Sequence, residues 1–285
     1  MSSPNAAGCV ALLLSALKAK KISYSPWLVR RALENTAAPI DKFSPLDYGF
    51  GMVQVKKALQ WFEKNKWGSN VRLDVRVQGH NANKARGIYY REPHQTSQER
   101  TEIIEVNPVW NENASPEEKI AFEKRFVLKS TAEWISVPNH FVLTNAARTF
   151  AVQVNPTVLK PGNTGAFYHA QVQGYDTEHP DHGPMFVVPV TCIKPIPPSP
   201  PPCVYSFNDL ALSPGVLYRR FFVVPEGASV AKVTLKAKKN FEKRLVVFAA
   251  LCLAAPHSST KFTLVDEYIR MKHEEERVCP PPPHP

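Results

Sequence analysis

From residue 5 to about residue 17 the chain runs Asn-Ala-Ala-Gly-Cys-Val-Ala-Leu-Leu-Leu-Ser-Ala-Leu, then turns basic at Lys18, Lys20 and Lys21. On a helix this stretch is apolar all round, which predicts burial on every side, and the lysines suit the negative end of the helix dipole. A second helix is signalled by Ser25 as N-cap and Pro26 as first helical residue, with Leu28, Val29, Ala32 and Leu33 as its apolar stripe, ending near Asn35. Val55, Ala58, Leu59 and Phe62 then repeat at helical spacing and predict a third helix that closes at about Asn65.

At Val71 the period changes. Val71, Leu73, Val75 and Val77 alternate with Arg72, Asp74, Arg76 and Gln78, the pattern of a half-buried strand. Further strands are predicted near 87–91, 102–106, 124–129, 149–154, 166–174 and 185–193. Short strands separated by Pro, Gly and Asn turns predict a β-sandwich. The run Lys194-Pro195-Ile196-Pro197-Pro198-Ser199-Pro200-Pro201-Pro202 reads as a polyproline II spacer rather than an SH3 or WW ligand. In the later basic stretch Ala231, Val233, Leu235 and Ala237 alternate with Lys232, Thr234, Lys236 and Lys238, a strand with a solvated lysine face. Residues 270–285, with Glu274-Glu275-Glu276 and a proline-rich end, have the composition of a disordered tail.

Composition changes this picture little. The chain has 285 residues, 44% of them hydrophobic and 21% charged, which is enough for more than one packed domain of about 100 to 200 residues. Its net charge of +10 would suit an anionic partner, but no aromatic residues interleave with the lysines, which disfavours nucleic acid. The cysteines Cys9, Cys192, Cys203, Cys252 and Cys279 are scattered and odd in number, so free thiols in a reducing compartment are expected. The apolar run 6–17 is too short to span a bilayer and carries its positive charge on the wrong side for a signal peptide, so no membrane segment and a cytosolic protein are expected.

Three stretches carry a family resemblance. Met1-Ser2-Ser3-Pro4 resembles the end of the subtilisin nucleophile motif Gly-Thr-Ser-Met-[Ala/Ser]-x-Pro, while Arg30-Arg31-Ala32-Leu33-Glu34-Asn35-Thr36-Ala37 and Gly49-Phe50-Gly51-Met52-Val53-Gln54-Val55 resemble the version of that region in tripeptidyl peptidase II. The resemblance implies an α/β remnant, the C-terminal helices of a subtilisin-like domain over 1–65. A mainly-β part follows: an immunoglobulin-like sandwich over 66–194, a Pro-rich linker at 195–203, a partial galactose-binding or jelly-roll-like β domain over 204–269, and the tail at 270–285. It further implies a fragment that begins just after the catalytic serine, so that Asp, His, Ser and the oxyanion asparagine of the chemistry lie outside it. Family members are cytosolic serine exopeptidases that form large homo-oligomers and release tripeptides from the amino termini of oligopeptides downstream of the proteasome.

The chain's own residues offer no replacement. Ser2 and Ser3 are read as first-turn residues of the opening helix, and no Gly-x-Ser-x-Gly elbow occurs. Gly49-Phe50-Gly51 lacks the third glycine and preceding strand of a nucleotide loop, and His273-Glu274-Glu275-Glu276 lacks the second histidine of a helical zinc motif. Asn113-Ala114-Ser115 matches a glycosylation sequon by chance, with Pro116 following. His179-Pro180-Asp181-His182, with Asp176 and Glu178 nearby, is the densest group of possible ligands, yet its surroundings read as a solvated hairpin loop. The reading therefore assigns no catalytic, cofactor or metal residue and no cofactor. It expects peptide substrates and homo-oligomer contacts only of a full-length enzyme. Two alternatives stand beside it, a non-catalytic β-domain protein for partner binding or assembly and a basic nucleic-acid-binding protein, the latter marked by steep salt dependence.

Overall fold

In a computed structural model of the protein, the described residues are 2–41, 45–64, 67, 70–79, 85–162, 165–200, 203–214, 216–225, 227–228, 230–236, 244–251, 263–271 and 274–279. The chain divides into two compact units, residues 1–194 with 210–220, and residues 195–209 with 221–285.

The first unit opens with helices α1 (Ser2–Ala19), α2 (Pro26–Thr36), α3 (Pro45–Tyr48) and α4 (Val55–Lys64). Ser25 caps α2 as its pattern predicts, its Oγ accepting from the Leu28 amide at 3.3 Å while Pro26 starts the helix. Helices α1 and α2 both pack on α4, burying Leu13, Leu17, Leu28, Ala32, Ala58, Trp61 and Phe62. The predicted burial of α1 on every side is not observed. Only the face carrying Leu13 and Leu17 is buried, whereas Ala6, Ala7 and Ala11 are exposed and Leu12 is 65% exposed. Among the described residues α4 covers one side of α1, and a helix needs a neighbour on each side to be buried all round.

Strands follow at β1 (Val71–Val77), β2 (Ile88–Tyr90), β3 (Arg100–Trp110), β4 (Lys124–Ser130), β5 (Ile135–Ser136), β6 (His140–Leu143), β7 (Arg148–Val154), β8 (Ala166–Asp176) and β9 (Pro184–Lys194), with short helices α5 (Pro93–Thr96) and α6 (Pro116–Ala121) between them. They form two sheets, ordered β1-β3-β7-β5 and β2-β9-β8-β4-β6. Pairing is antiparallel throughout these sheets except for β2, which runs parallel to β9. The alternation read from the sequence is the core pattern: Val71, Leu73 and Val77 on β1, Ile104 and Val106 on β3, Phe150, Val152 and Val154 on β7, and Val188 and Val190 on β9 are buried. An aromatic group made by Phe126, Phe141, Phe150 and Phe186 joins the sheets, with ring centroids 5.1 to 6.2 Å apart. Gly174 leaves the space that Phe186 fills, since a Cβ there would meet that ring at 2.3 Å.

The buried helix residues and the sandwich residues form one continuous hydrophobic cluster. Trp67 lies between the two parts. Its ring centroid is 5.6 Å from that of Trp27 on α2 and 6.2 Å from that of Phe126 on β4, and its Nε1 donates to the Val71 carbonyl at 3.2 Å.

In the second unit β10 (Ala231–Lys236) pairs with β13 (Glu274–Cys279), and β11 (Arg244–Leu251) pairs with β12 (Thr263–Met271). Lys232, Thr234 and Lys236 are exposed and Val233 and Leu235 half-buried, the face pattern predicted for this strand; Ala237 and Lys238 lie outside the described residues. One expectation is corrected here. Residues 274–279 form a strand rather than a disordered tail, because β10 offers a ladder of backbone partners that composition alone does not reveal. In the proline-rich stretch Ile196 donates its amide to the Phe221 carbonyl at 2.9 Å and accepts from the Val223 amide at 3.0 Å. His273 and residues 280–285 lie outside the described residues.

Candidate functional site

The helices and the sandwich meet at the β8–β9 hairpin, where Asn35 of the Arg30 to Ala37 motif and Trp61 of α4 reach it. The hairpin loop is largely solvated, with Thr177, Glu178, Pro180 and Asp181 exposed, but its last residues turn inward. His179 caps a 3-10 turn over Pro180–His182, and His182 is 5% exposed. In a 3-10 turn residues three apart eclipse, so His179 and His182 fall on one side and their rings stack with centroids 5.1 Å apart.

Two helix side chains hold this turn. Trp61 Nε1 on α4 donates to the His182 carbonyl at 2.6 Å, and Asn35 Nδ2 on α2 donates to the carbonyls of His182 at 2.9 Å and Pro184 at 3.1 Å. Gly183 follows in the left-handed region (φ 80°), where glycine is at ease, and a Cβ there would stand only 3.0 Å from the Asn35 side chain. The Asn35 of the Arg30 to Ala37 motif thus serves as a clasp on the hairpin, a role no helical periodicity announces. Burial, opposed by Asp181, holds the pKa of His182 below the usual histidine value. A cavity of about 240 Å³ adjoins, lined among others by Lys57, Trp61, Lys64, Asp181 and His182.

Other chemically suggestive groups have structural explanations. Glu102 falls on the inward face of β3 by its period, and its buried carboxylate accepts from the Tyr90 hydroxyl at 2.5 Å, with Arg100 3.9 Å away. Burial together with Glu102 raises the Tyr90 phenol well above its ordinary value. His169 Nδ1 lies 3.1 Å from Thr191 Oγ1 because the two residues are cross-strand partners, and burial lowers its pKa. Burial pushes the Cys192 thiol up to about 11, which makes it a poor nucleophile. Arg31 pairs with Glu34 on α2, and burial first, then Arg30, lowers its guanidinium to about 10. Cys9, Cys192 and Cys203 are free thiols, as expected; Cys252 lies outside the described residues. Ser2 and Ser3 are exposed first-turn residues of α1. Among the described residues no helix is long and apolar enough to cross a membrane.

Comparison with known proteins agrees with this geometry. A family model described as tripeptidyl-peptidase II, first Ig-like domain, matches residues 71–193, which span β1 to nearly the end of β9. Tripeptidyl-peptidase 2 of Oryza sativa subsp. japonica is 38% identical over 242 residues, covering 83% of this chain and 18% of that protein. Tripeptidyl-peptidase 2 of Arabidopsis thaliana is 38% identical over 242 residues, covering 83% of this chain and 17% of that protein. A crystal structure of tripeptidyl peptidase 2 superposes with a TM-score of 0.84 at 27% identity, covering 98% of this chain and 24% of that one. The chain therefore spans less than a fifth of the length of these curated relatives. With sequence matched across helices and sandwich and the fold reproduced along nearly its whole length, the chain belongs to the tripeptidyl-peptidase II family, its residues 71–193 forming that family's first Ig-like domain.

Proposed function

We propose that the chain is a non-catalytic region of a subtilisin-like serine exopeptidase of the cytosol, one that assembles as a homo-oligomer and releases tripeptides from the amino termini of oligopeptides. In this reading residues 1–65 belong to the peptidase domain, 66–194 to the sandwich, 195–203 to the linker, 204–269 to a further β domain and 270–285 to a terminal segment. The match to proteins named tripeptidyl-peptidase 2 across 83% of the chain carries the proposal. The clasp made by Trp61 and Asn35 on His182 gives the sandwich a part in it, as a rigid mount for the helices that follow the nucleophile motif.

The chain by itself does not hydrolyse peptides. Serine peptidase chemistry needs a hydroxyl, a histidine and a carboxylate in one hydrogen-bonded line, with oxyanion donors beside them. The histidine–hydroxyl contact between His169 and Thr191 is a cross-strand pair, not such a line. Purified chain incubated with a tripeptide-amide fluorogenic substrate should give no turnover sensitive to serine reagents; such turnover overturns the proposal.

A second reading, that the chain acts by binding a partner or in assembly, is favoured by the exposed apolar side of α1, where Leu12 is 65% exposed. It predicts a cooperatively folding protein that captures a defined partner without peptidase activity. Nucleic-acid binding gains no support, since the exposed lysines of β10 form one side of a paired strand without stacking aromatics.

A further inference from the structure

The sequence HPDH within the β8–β9 hairpin brings together three side chains that the peptidase reading does not use. The ligand atoms of His179, Asp181 and His182 all lie within 4.8 Å of one another. The 3-10 turn is the cause: it eclipses positions three apart, setting both imidazoles on one side, and leaves Asp181 exposed beside them.

The surroundings supply what a bare cluster lacks. His182 is buried, its main chain is clamped by Trp61 and Asn35, and its ring packs against those of Trp61 (centroids 5.9 Å apart) and His179 (5.1 Å). A ring held by packing on a fixed main chain presents its nitrogens in a set direction, which lowers the cost of ordering a metal ligand. His179 is half-buried and Asp181 exposed, so both can turn toward it. With metal–nitrogen bonds of about 2.0–2.1 Å, closing the three ligands on one ion takes movements of roughly 1 Å, within reach of such rotations.

Two imidazoles and one carboxylate favour zinc, copper or nickel over calcium or magnesium, which prefer shells of oxygen ligands. We propose that His179, Asp181 and His182 form a divalent zinc-type site within the β8–β9 hairpin, beside the end of α4. Three protein ligands leave at least one position for water, so the site is open. Its occupancy locks the 3-10 turn whose last carbonyl Trp61 and Asn35 grip, and so stabilises the joint between helices and sandwich.

The test uses the full 285-residue chain, stripped with a chelator and titrated with ZnCl2 by calorimetry and with CoCl2 by visible absorption. The expected result is one equivalent of each metal, a cobalt spectrum of nitrogen and oxygen ligation, and a zinc-dependent rise in melting temperature. His179→Ala and Asp181→Asn, which alter partly or fully exposed side chains and so leave the fold intact, should each weaken zinc binding roughly tenfold or more and abolish the melting shift. His94→Ala, an exposed histidine on α5, should change neither. Absence of stoichiometric uptake by the unmodified chain overturns the proposal. So does unchanged affinity in both variants, or a thiolate-to-cobalt charge-transfer band, which assigns the metal to cysteine.

Discussion

Removing the two donors that meet at the His182 carbonyl tests the joint between helices and sandwich. Trp61→Phe keeps most of the buried ring but deletes the N–H that reaches this carbonyl at 2.6 Å. A net hydrogen bond contributes about 0.5–1.5 kcal/mol, and trimming the ring adds a packing loss, so a cost of roughly 1.5–2.5 kcal/mol is expected. Asn35→Ala deletes the donations to His182 at 2.9 Å and Pro184 at 3.1 Å, for about 1–2 kcal/mol. In either single variant the His182 carbonyl keeps one donor. In the double variant it keeps neither of them, and His182 is only 5% exposed, so the penalty of a buried unsatisfied acceptor, about 1–3 kcal/mol, falls on the pair alone. The double variant should therefore lose about 1 kcal/mol or more beyond the sum of the singles. Urea unfolding of the full chain followed by far-ultraviolet circular dichroism reads all four stabilities. Additivity within about 0.5 kcal/mol, with each single change nearly neutral, would show that the hairpin does not clasp the helices and would falsify the mounting role given to the sandwich.

Tyr90→Phe leaves the Glu102 carboxylate buried without the hydroxyl that donates to it, and a loss of about 1.5–3 kcal/mol is expected in the same assay; a neutral result would mean the carboxylate finds water. Gly174→Ala forces a methyl to within 2.3 Å of the Phe186 ring, so about 1–3 kcal/mol of overpacking should appear as a lower unfolding midpoint, and an unchanged midpoint would contradict the packing described. His169 has a folded-state pKa below its ordinary 6.5 because of burial, so the unfolded chain binds the proton more readily. Its contribution to stability is full above pH 6.5 and falls as the pH drops through that value toward the lower folded pKa. Unfolding midpoints compared at neutral and mildly acidic pH should therefore show less acid sensitivity in His169→Gln than in the unmodified chain, and equal sensitivity would contradict the burial effect.

The sandwich was legible because its strands alternate: the run from Val71 to Gln78 predicts β1 to within one residue, and the strands around 102–106 and 185–193 needed only lengthening to β3 and β9. Shorter elements escaped for want of length. In β6 the buried Phe141 and Leu143 alternate with exposed His140 and Val142, a signal present in the sequence but only four residues long. Helix α6 carried a clearer mark, the capping box Ser115-Pro116-Glu117-Glu118, in which Ser115 Oγ accepts from the Glu118 amide and Glu118 accepts in return from the Ser115 amide, both at 3.1 Å. The candidate site was hardest to see because its parts come from distant places: Asn35 and His182 are 147 residues apart, and neither helical nor strand periodicity couples them. The HPDH loop has the composition of a solvated turn and is mostly exposed; only His182 is buried, where Trp61 and Asn35 grip its carbonyl.

The claim that this family chain carries no peptidase machinery of its own is tested most directly with a serine-directed fluorophosphonate and intact-mass spectrometry, since the reagent reports an activated hydroxyl whatever the substrate. The account predicts an unchanged mass for the folded 285-residue chain after incubation that labels a serine peptidase to completion. A stoichiometric phosphonyl adduct on a single serine, lost on denaturing the chain before labelling, would contradict it.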